Sequence, residues 1–103
     1  MSVFVSVEDM DGEPLAAVFE LERVFRRFAA VPGCFLRFVG EKADSSFNEL
    51  QSPGLRDEIA TLDASGYDEL ERAELERVRA TITKFAGKNN AYIRFYGETS
   101  RAE

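Results

Sequence analysis

"EPLAAVFELERVFRRFAAV", residues 13 to 31, is the stretch on which the fold turns. Val18, Leu21, Val24, Phe25, Phe28 and Val31 recur at spacings of three and four, which puts them on one face of a helix. Glu20, Arg23 and Arg27 fall on the opposite side. Pro14 suits a first helical position, where its missing N–H costs nothing. Pro32 and Gly33 supply a stop. The spacing therefore predicts a helix over 14–31. Phe19 breaks the pattern, because on such a helix it projects beside Glu22, Arg23 and Arg26.

The flanks read as strands. In "SVFVSVE", residues 2 to 8, Val3, Val5 and Val7 point one way while Phe4 and Ser6 point the other, the alternation of a half-buried strand. "CFLRFVG", 34–40, alternates Cys34, Leu36 and Phe38 with Phe35, Arg37 and Val39. Leu55, Ile59 and Leu62 give a helix over 54–62, and "DASGYD" a loop. The clearest helix runs from Asp68 to Ala86. Leu75, Val78, Ile82 and Phe85 form its stripe, acids crowd its first turn, and Gly87 stands where a C-terminal cap belongs. "AYIRFYG", 91–97, closes the chain as a strand. The order β-α-β-α-α-β predicts an α+β fold: a small sheet of three or four strands with the helices on one face. The connection between the first two strands is long enough for a parallel, right-handed crossover.

The 103 residues amount to one domain, with the tail 99–103 expected to be disordered. Hydrophobic residues make up 45% and phenylalanine supplies nine, enough for one core. A single cysteine, Cys34, excludes an internal disulfide and fits a reduced, cytoplasmic setting. It is expected to be a small core residue. No apolar run is long enough for a membrane span, and "MSVFVSVEDMDGEP" lacks the features of a signal peptide. The net charge of −6 repels phosphate backbones, so no nucleic-acid partner is expected; it suits solubility or a basic protein partner.

Without histidine the chain has no Ser-His or Cys-His nucleophile and lacks the commonest general base. "DMDG", 9–12, has its glycine at the wrong place for a calcium loop and reads as a solvated turn. No phosphate-cradling glycine motif occurs. No enzyme, cofactor or metal is therefore expected.

Two regions remain as candidate sites. In "EKADSSFNELQSPGL", 41–55, Phe47 sits among polar residues. Ser46 and Glu49 fit a capping box, which would seat one helical turn over 47–51 and bury Phe47 as an anchor. Asn48 and Gln51 could then satisfy backbone groups at the junction. The competing reading has Asp44, Asn48 and Gln51 lining a polar recognition site of a small enzyme or ligand binder. The second region is the sheet face away from the helices. If Ile93 and Phe95 pack inward, Tyr92, Arg94 and Tyr96 point outward, joined by Phe4 and by Phe35 and Arg37 of the second strand. Tyrosine and arginine in such a patch favour a protein partner or a homodimer. The expected function is a non-enzymatic protein-interaction module, for instance an acidic inhibitor or immunity-type protein.

"LRFVGEKADSSFNELQSPGL", 36–55, and "AYIRFYGE", 91–98, also resemble a family of small, uncharacterised bacterial proteins. Its pattern is Leu-Arg-Phe, an aspartate, Phe-Asn, Leu-Gln and a proline, closing on an aromatic strand. Leu36, Arg37, Phe38, Asp44, Phe47, Asn48, Leu50, Gln51 and Pro53 fit; Ala43 stands where the pattern has glycine. The resemblance implies a bacterial source and a shared fold, and carries no activity.

Overall fold

The computed structural model describes residues 2 to 40 and 43 to 97; the tail 99–103 lies outside them. The fold is α+β. Four strands, β1 (Val3–Glu8), β2 (Phe19–Leu21), β3 (Asp44–Phe47) and β4 (Tyr92–Gly97), form one sheet in the order β2-β1-β4-β3. Helices α1 (Phe25–Phe28), α2 (Ser52–Ala60) and α3 (Glu69–Phe85) accompany it, with 3-10 turns at Leu36–Phe38 and Ala64–Gly66. Every pairing is antiparallel. Among the described residues no helix is long and apolar enough to cross a membrane.

Alternation in β1 and β4 orients the sheet. Val3, Val5, Val7, Ile93 and Phe95 are buried, and their cross-strand partners Leu21, Phe19 and Phe47 share that face. Against it pack Leu55 and Ile59 of α2, Leu75, Val78, Ile82 and Phe85 of α3, and Phe25 and Phe28 of α1, in one core cluster. The stripe expected on 68–86 is thus the stripe that is buried. Asp68 and Glu71 close a capping box at the start of α3, and Gly87 (φ 74°) follows its end.

The helix expected over 14–31 is not there. Residues 19–21 form β2, an antiparallel neighbour of β1, and only 25–28 are helical. The first two strands are therefore a hairpin, not a parallel pair. Phe19 and Leu21 point into the core with Glu20 outward, a period of two where a helix needs 3.6. Val18, assigned to the helical stripe, is exposed. The chain leaves β2 through a turn held by Glu74 of α3. Its buried carboxylate accepts the backbone N–H groups of Glu22 (2.6 Å), Arg23 (3.0 Å) and Val24 (2.9 Å).

Residues 34–40 are likewise not a strand. The Glu58 carboxylate of α2 accepts the successive N–H groups of Cys34 (2.8 Å), Phe35 (3.2 Å) and Leu36 (2.9 Å). Successive amides of a strand point to opposite sides, so three amides on one carboxylate demand a turn. Gly33 (φ 139°) approaches Glu58 so closely that a Cβ would lie 2.3 Å from Oε2, which only glycine permits. Cys34, expected in the core, is consequently exposed.

An ion pair ties α1 to α3 as well. Arg27 donates two hydrogen bonds to Glu71, Nε at 2.8 Å and Nη2 at 3.0 Å, and its guanidinium lies 4.6 Å from the Tyr67 ring centroid. Arg27, helped by the Asp68 backbone N–H, holds the Glu71 carboxyl down to about 2 from a usual 4.5. A depressed folded pKa gives stability that is complete above the unfolded value. Below pH 4.5 the unfolded chain binds a proton that the folded one refuses until about pH 2, so stability falls through that window. Urea midpoints measured from pH 5 to 2.5 should decline, and Glu71→Gln should decline less steeply; equal slopes would disprove the linkage.

Candidate functional site

The sheet face away from the helices is built by register. Opposed residues share a face, which brings Phe4 beside Tyr96 and Glu20, Ser6 beside Arg94, Glu8 beside Tyr92, and Asp44 and Ser46 beside Tyr96 and Arg94. Arg94 organises this surface. It forks onto Asp44 (Nε–Oδ1 2.9 Å, Nη2–Oδ2 2.6 Å), lies 3.7 Å from Glu8 and covers the Tyr96 ring at 4.5 Å from its centroid. The forked hydrogen bonds, helped by the opposite charge, keep Asp44 below the usual carboxylate range and Arg94 above the usual arginine value. Ser6 donates to Glu8 (2.8 Å) and Ser2 to Glu20. Phe4 stacks on Tyr96 with centroids 5.6 Å apart.

Phe4, Tyr92, Arg94 and Tyr96 thus share one face. Tyr96 is nevertheless buried, only 8% exposed under Phe4 and Arg94, so it is a support and not an outward contact. Phe35 and Arg37 do not join them, because the strand that would carry them there does not form. Phe35 packs on the helix side, edge-on to Phe47 at 5.7 Å, and Arg37 is exposed in the 3-10 turn over Phe38.

The 44–51 stretch separates into two parts. Residues 44–47 are strand β3, so Ser46 and Glu49 form no capping box. Phe47 is buried at 6% exposure against Phe35 and Phe95. The reciprocal cap sits two residues later. Asn48 Oδ1 accepts the N–H groups of Leu50 (2.9 Å) and Gln51 (3.0 Å), while Gln51 Oε1 accepts that of Asn48 (3.1 Å). Asp44 is committed to Arg94 at the other end of the strand, so Asp44, Asn48 and Gln51 do not converge on one polar site.

No family model, curated protein or solved structure matches the chain.

Sequence reasoning missed a cleft of about 410 Å³ at the end of the sheet. Met10, Asn48, Glu49, Leu50, Asn89 and Asn90 line most of it. The one signal for it was a large apolar residue set beside acids in a turn, as in Asp9-Met10-Asp11 and Glu49-Leu50.

Proposed function

We propose that this chain is a non-enzymatic protein-interaction module that engages a basic protein partner through its open sheet face. The supporting observation is the make-up of that face: the Phe4–Tyr96 stack lies in a surround where Glu8, Glu20 and Asp44 outnumber Arg94. Arg94, Asp44, Glu8 and Glu20 are already held by hydrogen bonds, so they lose little conformational freedom on contact. The acid excess sets two copies of the face against each other and favours a partner of opposite charge. An acidic inhibitor of the immunity type is the simplest protein of this kind. The bacterial source implied by the 36–55 resemblance belongs to the same proposal.

The test uses a photo-crosslinking residue, benzoylphenylalanine, in place of Ser46, which is exposed on this face. In source cells it should cross-link to another, basic polypeptide, and added salt should reduce the yield. The same residue at Glu76, exposed on α3, should not. Cross-links to the chain itself alone would replace the foreign partner by a homodimer; none at all would end the proposal.

A further inference from the structure

The cleft at the end of the sheet has a construction of its own. Three turns form its walls: 9–13 after β1, 48–51 before α2, and 87–91 before β4. They are tied together. Met10 N–H donates to Asn90 Oδ1 (3.1 Å), and Gly87 N–H donates to the buried Ser52 Oγ (2.8 Å). Asn90 itself holds a left-handed conformation at φ 65°. Within these ordered walls stand the two most exposed large apolar side chains of the described residues, Leu50 at 86% and Met10 at 70%. The hydrogen bonds that fix the Leu50 turn leave its side chain outside the core. Among the described residues the Asn89 side-chain amide has no partner within the protein.

We propose that this cleft binds a lysine- or arginine-rich segment of another protein that carries one apolar side chain. Charge complementarity selects the occupant. Glu49 lines the cleft itself, and Asp9, Asp11 and Glu13 belong to the same turn as Met10, against Lys88 alone in the three turns. A second copy would bring the same acids together, and a phosphate-bearing ligand would meet them as well. The apolar side chain of the segment seats between Met10 and Leu50. The flanking cations lie along the acidic rim, and Asn89 offers a donor and an acceptor to a backbone amide of the segment. This site meets the sheet face only at Tyr92, which lines the cleft's edge; Met10, Leu50 and Asn89 lie off that face, so the proposal does not rest on the face being occupied.

The probe is a synthetic Lys-Arg-Leu-Arg-Lys peptide titrated into the ¹⁵N-labelled protein and followed by amide chemical shifts. Shifts should concentrate at residues 10, 48–50 and 89–91. A Leu→Gly peptide should bind at least tenfold more weakly. Leu50→Ser, which removes an exposed side chain and leaves the core intact, should weaken the Leu peptide by a similar factor. Several outcomes would overturn the proposal. They are shifts spread evenly over the acidic surface, equal binding of a Glu-Glu-Leu-Glu-Glu peptide, an unchanged affinity in Leu50→Ser, or dimerisation of the free protein through these residues. Shifts confined to Phe4, Ser46 and Arg94 would also overturn it while supporting the sheet-face reading.

Discussion

Glu74→Ala is expected to destabilise the protein by about 3 kcal/mol, because three backbone amides lose a charged acceptor at once. That is a large share of the roughly 5–15 kcal/mol by which domains of this size are stable. Glu74→Gln keeps one carbonyl oxygen in place and should cost about 1–2 kcal/mol. The damage should be local first. Amide exchange at Glu22, Arg23 and Val24 should accelerate before the α3 amides respond, since the carboxylate joins β2 and α1 to α3. A urea midpoint equal to the parent's in Glu74→Ala would show that the turn holds itself.

Phe47→Ala should cost about 3–5 kcal/mol, the range for deleting a buried ring. The ring lies edge-on to Phe35 at 5.7 Å and to Phe95 at 6.1 Å, so its removal opens the core between β3, β4 and the 34–38 turn. Phe35 is itself closely packed: a Cβ on Gly54 would lie 2.5 Å from its Cε2. The surroundings have little freedom to collapse into the void. Phe47→Leu refills most of the volume and should cost less than half as much. Urea denaturation of the two variants decides the matter, and an alanine variant as stable as the parent would place the ring outside the core.

How much of this was legible depends on where each segment's instructions lie. The α3 stripe, its acidic first turn and the alternation of β1 and β4 are local, and the sequence read them correctly. The 14–31 stretch defeated the reading because Leu21, Val24, Phe25, Phe28 and Val31 are buried in either conformation. Spacing alone could not separate a helix from a strand followed by one helical turn. Phe19 was the discordant residue: misplaced on a helix, it fits a strand with Leu21. The other deciding groups, Glu74 and Glu58, lie far along the chain and look like ordinary acids on helix surfaces. Nothing in the spacing announces that each will gather three amides of a distant segment. The site was legible to the same extent. Period-two alternation placed Phe4, Tyr92, Arg94 and Tyr96 together, but Arg94's commitment to Asp44 depends on β3, whose four residues carry one apolar side chain and so no visible alternation.

The central pair of the sheet, β1 with β4, has a consequence for synthesis. Ribosomes release a chain in order, and β1 emerges long before the strand that will lie beside it from Val3↔Gly97 to Glu8↔Tyr92. Until Tyr92 to Gly97 are made, β1 has only the three-residue hairpin partner β2, a pairing too small to persist alone. The α2–α3 pair can assemble earlier, from contacts close in sequence. Val3, Val5 and Val7 therefore stay uncovered until Tyr92 to Gly97 have emerged. A ribosome that stalls before Tyr92 holds a chain that cannot close its sheet, with its stickiest strand already outside.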